Sequence, residues 1–250
     1  GGLTGERLEE ILGREGIEQR PIPVPGLTRE NLIVEEQSTG RQFRFGMPGP
    51  SIIRDEASRV CEMLRSFDAS YLVASGSLPP GLGDDWYVRV GQCADSCGGR
   101  FILDTSGPAL RRAVEQGVWL IKLNHRELCD LVGCELEDDQ QLEDAARQLI
   151  LDGKVEYVLV SLGAGGALLV TRDTAESFRA PTVPIRSTVG AGDSMMAGLV
   201  HSLEQGRDMS ESVRYAVAAG AAAVMTPGTG LCRLEDVERL FGGTEALAPA

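Results

Sequence analysis

The middle of the chain contains four short apolar runs: YLVAS, RFILD, VWLIK and EYVLVSLG. Segments of helical periodicity lie between them. Runs that stay apolar at consecutive positions are typical of parallel strands that are buried on both faces of an α/β sheet. After Val189 the pattern becomes helical, and it predicts helices over residues 192–205, 210–224 and 234–241. The pattern therefore predicts an α/β domain, with no internal repeat or charged linker that would divide it.

The N-terminal part of the chain has a different pattern. Apolar residues on one side of residues 5–16 predict an amphipathic helix. NLIVEE and RQFRFG then alternate apolar and polar positions around the turn QSTG, which predicts a β-hairpin. Because this hairpin does not belong to an α/β layer, we interpret it as a small lid over residues 29–46.

Composition excludes several classes of function. Among 250 residues, 37 acidic and 24 basic side chains give a net charge of −13, which argues against nonspecific nucleic-acid binding. No apolar run approaches the ~18 residues of a membrane span. Six cysteines in a chain of this length do not suggest a secreted disulfide framework, so we expect reduced thiols in a cytoplasmic protein.

The stretch TVGAGDSMMAGLV, residues 188–200, carries the clearest chemistry. Gly190, Ala191 and Gly192 leave backbone N–H groups open to a bulky anion at the start of a predicted helix, where the helix dipole also favours negative charge. Asp193 then follows as a carboxylate that can accept a proton from an attacking hydroxyl. Plain helix capping is the alternative for the aspartate. The two usual nucleotide motifs, GxxxxGK[ST] and GxGxxG, are absent from the sequence.

STVGAGDSMMAG resembles the C-terminal signature of the ribokinase-like (PfkB) carbohydrate kinases. SGSLPPG, KLNHRE, VSLGAGG and AAGAAAVMTPGTG stand in the order that this family has, so the resemblance covers essentially the whole chain. It implies a single domain over residues 1–250, a three-layer αβα ribokinase-like fold with a β-hairpin lid. Within the family, TRENLIVEEQSTGRQFRFGMPGP, SGSLPPG and STVGAGDSM together are most similar to the minor type of bacterial 6-phosphofructokinase.

The resemblance implies roles for individual residues. Asp193 would be the general base and would contact the sugar, and the amides of Gly190, Ala191 and Gly192 would form the anion hole. Arg29 would bind the sugar phosphate and Ser77 would hydrogen-bond the sugar. Without the resemblance, a solvated charge at the lid edge is the better explanation of Arg29. For Ser77, a turn residue before two prolines is an equally good explanation.

The nucleotide and metal residues also come from the resemblance. Asn124 and Glu127 would organise Mg²⁺, although they also fit a helix capping box. Lys122 would lie near the ATP phosphates, and Val217 and Ala221 would line the adenine pocket unless they are ordinary core residues. The turn beside the nucleotide would comprise Ser161, Leu162, Gly163, Ala164, Gly165 and Gly166. A K⁺ ion would be held largely by backbone carbonyls of Ser187, Val189, Ala223, Thr226, Gly228 and Gly230.

Two positions depart from the family pattern: Leu123 stands where close relatives often have proline, and Gly230 where they have a longer polar residue. His125 we interpret as a surface helix residue. The family's first strand, with its sugar-binding acidic residue and a Gly-Gly-Lys-Gly-type loop, does not appear in the sequence. By the resemblance this segment is about 50–60 residues. We expect a partial sequence or a natural short form, and an exposed apolar sheet edge. We also expect weak or no sugar kinase activity of this polypeptide alone, with nucleotide binding better preserved.

The resemblance implies ATP-dependent phosphorylation of a sugar phosphate. Its first choice of substrate is fructose 6-phosphate, which would be converted to fructose 1,6-bisphosphate. A 1-phosphofructokinase and a tagatose-6-phosphate kinase are the alternatives within the family. A nucleotide- or sugar-binding regulator without activity is the alternative of another class. The family's lid hairpin often pairs with that of a second subunit, so we expect a homodimer through the lid.

Overall fold

The computed structural model describes residues 1–36, 38–39 and 41–243. The three predicted C-terminal helices agree with the structure within two residues; the helix predicted over 192–205, for example, is observed at Ala191–Glu204. The helix predicted over residues 5–16 is observed two to three residues earlier, at Gly2–Arg14. The helices are α1 (Gly2–Arg14), α2 (Arg54–Leu64), α3 (Trp86–Ser96), α4 (Gly107–Gln116), α5 (His125–Val132), α6 (Asp139–Leu151), α7 (Ala191–Glu204), α8 (Met209–Val224) and α9 (Leu234–Gly243). The strands are β1 (Asn31–Glu36), β2 (Arg41–Gly46), β3 (Tyr71–Ser75), β4 (Arg100–Asp104), β5 (Val118–Asn124), β6 (Val155–Ser161), β7 (Ala167–Val170) and β8 (Ala175–Phe178).

Six strands form the central sheet in the order β3-β4-β5-β6-β7-β8. The four predicted strands, β3 to β6, run parallel, as expected for strands connected through helices. The last two strands, β7 and β8, are antiparallel additions that the sequence pattern did not predict. Each is four residues long, too short for its periodicity to distinguish a strand from a loop.

Alternate residues of each strand enter two different cores, which makes the domain a three-layer αβα structure. Ile121 and Leu123 of β5 pack with helices α2 to α6 on one face of the sheet. Leu120 packs with α7 and α8 on the other face. Burial on both faces is the physical reason why these strands read as continuous apolar runs. The predicted fold class is therefore confirmed.

The lid consists of β1 and β2, an antiparallel pair in which Leu32 lies opposite Phe45 and Val34 opposite Phe43. This confirms the predicted hairpin, except that Gln37 and Gly40 of the predicted QSTG turn lie outside the described residues. The four apolar side chains share one face and are 42–60% exposed, so this face of the lid points away from the domain.

β3 lies at one edge of the sheet, and its Val73 is 39% exposed. The other apolar residues of β3 are partly buried, so the expectation of an exposed apolar sheet edge stays a prediction. Within the described residues, no helix combines the length and the apolar character that crossing a membrane requires.

Candidate active site

The carboxyl ends of the parallel strands bring several predicted residues to one edge of the sheet. Ser75 at the end of β3 pairs with Asp104 at the end of β4, and Asn124 at the end of β5 pairs with Ser161 at the end of β6. Ser77 follows β3 by two residues. In open α/β sheets this edge is where ligands bind.

The start of α7 is an uncapped helix N-terminus. Gly190 is its N-cap with φ +76°, a left-handed conformation that favours glycine, and no side chain caps the helix. The carbonyl of Gly190 accepts the first helical hydrogen bond from the Ser194 amide at 2.8 Å. The N–H groups of Ala191, Gly192 and Asp193 precede that bond and have no partner within the helix. These three donors are available to an anion.

Lys122 places a positive charge directly beside these amides. A Cβ added at Gly192 would lie 3.0 Å from Lys122 Nζ, so glycine here lets the ammonium approach the helix backbone. The ammonium is fixed by Asp104, whose Oδ2 accepts from Nζ at 2.6 Å. Both side chains are nearly buried, with 8% of Lys122 and 13% of Asp104 exposed. Helix dipole and ammonium together make this the most favourable place in the site for phosphate oxygens.

Asp193 lies in the first turn of α7 and is exposed. Its carboxylate makes no hydrogen bond or ion pair with any residue that the structure describes. Plain capping therefore does not explain it, since the N-cap position belongs to Gly190. A carboxylate without a protein partner at the positive end of a helix is free to accept a proton from a bound hydroxyl.

Asn124 and Glu127 form the capping box that was one of their two interpretations. Asn124 Oδ1 accepts from the Glu127 amide at 2.9 Å, and Glu127 Oε2 accepts from the Asn124 amide at 2.8 Å. The box leaves Glu127 Oε1 without a described partner. Among the described residues, no three His, Cys, Asp or Glu side chains cluster as a metal cage. One carboxylate and an amide fit Mg²⁺ that keeps most of its waters and binds mainly to phosphates.

The predicted nucleotide residues fall into two environments. The turn after β6 contains a short 3₁₀ helix at Gly163–Gly165 and is closed by a hydrogen bond from the Leu162 amide to the Gly166 carbonyl at 2.8 Å. Its residues 163–165 are exposed. Val217 and Ala221, in contrast, are 6% and 8% exposed and belong to the apolar clusters around α8. Their predicted contact with adenine stays a prediction.

The six residues predicted to hold K⁺ are linked by two hydroxyls. Ser187 Oγ donates to the Gly228 carbonyl at 2.6 Å and accepts from the Val189 amide at 3.2 Å. Thr226 Oγ1 lies 2.8 Å from the Ala223 carbonyl and 2.7 Å from the Gly230 carbonyl. The Gly228 carbonyl is thus bonded by one hydroxyl, and the Ala223 and Gly230 carbonyls by the other. That these carbonyls hold K⁺ stays a prediction.

Of the two predicted sugar residues, Ser77 follows β3 at this edge of the sheet, whereas Arg29 lies where the chain enters the lid. Arg29 packs its aliphatic stem near Gly49, where an added Cβ would lie 3.7 Å from Arg29 Cβ. Three residues further on, the Ile52 amide donates to the Pro80 carbonyl at 2.7 Å, which ties the exit of the lid to the turn that carries Ser77. Neither the Arg29 guanidinium nor the Ser77 hydroxyl bonds a described residue, and both side chains are exposed.

Two buried hydroxyl donors hold the turn that carries Ser77. Tyr87 Oη and Thr105 Oγ1 donate to the Gly76 carbonyl at 2.7 and 2.8 Å. Burial raises the pKa of Tyr87, so its hydroxyl remains a donor. These bonds fix the backbone immediately before Ser77.

The family model for pfkB carbohydrate kinases matches residues 1–236. The chain belongs to the pfkB family of carbohydrate kinases. It is therefore a phosphotransferase, and the resemblance drawn from its motifs is confirmed.

Individual pfkB relatives cover nearly the whole chain. The chain is 44% identical over 243 residues to the ATP-dependent 6-phosphofructokinase isozyme 2 of Mycobacterium tuberculosis, covering 96% of this chain and 71% of that protein. It is 38% identical over 231 residues to the 1-phosphofructokinase of Rhodobacter capsulatus, covering 89% and 72%. The crystal structure of phosphofructokinase-2 from Escherichia coli in complex with potassium superposes with a TM-score of 0.92 at 37% identity, covering 97% of this chain and 79% of that one.

A charged residue of this pfkB domain was not predicted as a site residue: Asp104 ends the apolar run RFILD, yet its carboxylate fixes Lys122. The inner face of the lid carries Gln42, which donates to Ser187 Oγ, and Arg44, which lies opposite Ile33. The alternation in RQFRFG was the available signal, because it separates Gln42 and Arg44 from the two phenylalanines.

Proposed function

We propose that this kinase transfers the γ-phosphoryl group of ATP to the 1-hydroxyl of fructose 6-phosphate. The observation that carries the proposal is the start of α7, where uncapped amides, the Lys122 ammonium and a carboxylate without a partner lie together. Phosphoryl transfer needs these three elements, because charge accumulates on the phosphoryl oxygens while the attacking hydroxyl loses its proton. The similarity to 6-phosphofructokinases of isozyme 2 type supports the choice of sugar phosphate.

In this mechanism Asp193 accepts the proton of the sugar hydroxyl as its oxygen attacks phosphorus. The free amides of Ala191, Gly192 and Asp193 at the start of α7, together with the predicted Gly190 amide, donate to the phosphoryl oxygens, whose negative charge grows during transfer. Lys122 adds a fixed positive charge beneath the same oxygens. The β–γ bridging bond breaks, and ADP leaves with the electron pair of that bond.

The remaining residues bind and orient the substrates. Arg29 grips the phosphate of the sugar through its fork of donors, and Ser77 hydrogen-bonds the sugar. Residues 161–166 border the nucleotide, with Val217 and Ala221 behind the adenine. Asn124 and Glu127 would hold Mg²⁺, which would neutralise charge on the ATP phosphates. A K⁺ ion at the carbonyls beside Ser187 would add positive charge near the anion hole.

The substrate is tested with the protein expressed from its full reading frame. Initial rates of ADP formation are measured with Mg²⁺-ATP and fructose 6-phosphate, fructose 1-phosphate, tagatose 6-phosphate or fructose. We expect kcat/KM to be at least tenfold higher for fructose 6-phosphate than for the others, a difference of about 1.4 kcal/mol. A preference for fructose 1-phosphate would indicate a 1-phosphofructokinase, and a preference for tagatose 6-phosphate a tagatose-6-phosphate kinase. If no sugar is turned over, the proposed function is refuted.

Arg29→Met tests the assigned phosphate contact within the same assay. We expect a higher KM for the sugar phosphate and an unchanged KM for ATP, because only the sugar carries the phosphate that Arg29 binds. Arg7→Met is the matched control, since Arg7 is an exposed residue of α1 that pairs with Glu10. If the two variants have the same KM for the sugar phosphate, Arg29 does not bind the phosphate.

We also propose that the protein forms a homodimer through the outward face of the lid. Leu32, Val34, Phe43 and Phe45 are 60%, 42%, 44% and 52% exposed on that face. Two opposed aromatic–aliphatic pairs on a small two-stranded sheet are an unusually apolar surface for a monomer. A second lid would cover it with a face of the same composition.

A further inference from the structure

The hydroxyl of Ser187 joins three parts of the molecule. Ser187 is 3% exposed. Its Oγ donates to the Gly228 carbonyl at 2.6 Å and accepts from the Val189 amide and from Gln42 Nε2, both at 3.2 Å. A hydroxyl has one donor and two acceptor positions, so this group is fully satisfied.

The contact from Gln42 belongs to the lid. Within residues 29–36, 38–39 and 41–46, it is the one hydrogen bond that joins the lid to the sheet domain, and it spans 145 positions of the chain. Gln42 lies on the inner lid face, opposite Glu35 in the strand register. Among the described residues, the hydrogen bonding between β2 and the sheet domain therefore depends on one acceptor atom, Ser187 Oγ.

The other two bonds of Ser187 belong to the phosphoryl-binding region. Val189 directly precedes Gly190, whose left-handed conformation starts α7 and exposes its first amides. Gly228 lies in the loop after α8. If Gln42 withdraws, the Ser187 hydroxyl loses one of its two donors, and the Ser187 side chain gains freedom to rotate. The Val189 amide then loses a fixed partner.

We propose that Gln42 is a positioning residue that couples closure of the lid to the geometry of the anion hole. This inference rests on the proposed function, because it assumes that the lid closes over the sugar phosphate. When the lid is closed, the Gln42 amide holds the Ser187 hydroxyl, and this hydroxyl holds the segment that presents the α7 amides. Sugar-phosphate binding is then used in part to order the site of transfer, so that phosphoryl transfer to water is suppressed while the lid is open.

The kinetic test compares Gln42→Met, Ser187→Ala and the double variant with the unchanged protein. Methionine matches the length of glutamine but has no donor, and one neutral hydrogen bond corresponds to about a three- to tenfold effect. We expect kcat/KM for fructose 6-phosphate to fall by about that factor in Gln42→Met, with part of the loss in kcat and with KM for ATP unchanged. The double variant is expected to be no worse than Ser187→Ala alone, whereas multiplied losses would overturn the coupling.

Backbone hydrogen exchange provides a readout that does not depend on turnover. In Gln42→Met, amides of β1, β2 and residues 188–194 should all exchange faster than in the unchanged protein. Faster exchange of the lid alone, or of neither segment, would overturn the proposal even if the kinetics changed. Gln140→Met is the matched control, because Gln140 is an exposed helical glutamine that bonds Asp144; it should change neither readout.

The two proposals fail in different ways. If the unchanged protein phosphorylates no sugar phosphate, the proposed function fails, while the exchange experiment still decides whether Gln42 couples the lid to α7. If Ser187→Ala does not fold, Gln42→Glu is used as the second variant. A carboxylate, like the methionine side chain, has no N–H group that could donate to Ser187 Oγ. Gln42→Glu is then expected to match Gln42→Met in both readouts, and wild-type exchange would count against the inference.

Discussion

The buried ion pair between Lys122 and Asp104 offers a sharp test of the site's construction. The two atoms lie 2.6 Å apart, with 8% and 13% of the side chains exposed, so solvent screens the pair little. Asp104→Asn leaves a buried ammonium with a neutral partner. Loss of one partner from such a pair costs about 3–5 kcal/mol, and because asparagine keeps one acceptor oxygen we expect about 3 kcal/mol.

The assay is urea denaturation followed by far-UV circular dichroism, with kcat measured on the same preparations. Asp152→Asn is the matched control: it removes a surface ion pair of similar length, 2.8 Å, whose side chains are 39% and 36% exposed. That change should leave the urea midpoint unaltered. We also expect kcat of Asp104→Asn to fall by about 10²-fold, because a displaced ammonium no longer lies beneath Gly192.

The double change Asp104→Asn with Lys122→Met separates stability from catalysis. Removing both charges should recover most of the lost stability, since replacement of a whole buried pair is often neutral. Activity should remain low, because the positive charge at α7 is still missing. An Asp104→Asn protein as stable and as active as the unchanged one would refute the assignment of this pair to the site.

Two further predictions concern surfaces and pH. Changing Phe43 and Phe45 together to serine should convert the homodimer to a monomer, as measured by light scattering coupled to gel filtration. If the doubly changed protein keeps the molar mass of the unchanged protein, the lid interface is excluded. Burial raises the pKa of Tyr215 to about 12, so the folded protein holds this proton more tightly than the unfolded chain does. The resulting stability is present below pH 10 and is lost as the pH rises from 10 towards 12; the Tyr215→Phe protein should lack this alkaline decline, and an identical decline would contradict the assignment.

The sequence predicted those parts of the fold in which local pattern and burial agree. β3 to β6 are apolar at consecutive positions because both of their faces are covered, and the lid alternates because one face is open. β7 and β8 were missed because four residues hold too little pattern. Their pairing also depends on two turns, at residues 161–166 before β7 and at residues 171–174 before β8.

The candidate site was predicted residue by residue but not as a set of contacts. Asp193 and the amides before it could be found because their chemistry is contiguous in sequence. Lys122 and Asp104 lie 18 positions apart, and only the pairing of two neighbouring strands brings their charges together. The contact between Gln42 and Ser187 spans 145 positions and depends on how the lid folds over the domain, which no local pattern specifies.

We propose that the start of α7 binds the phosphoryl group while the neighbouring Asp193 carboxylate accepts the proton. Asp193→Asn tests this proposal, with kcat for fructose 6-phosphate and the Kd for ATP measured on the same protein. We expect kcat to fall by about 10²–10⁴-fold, with ATP affinity and thermal unfolding essentially unchanged, since the side chain is exposed and has no described partner. An Asp193→Asn protein that keeps its kcat within a few-fold would contradict it.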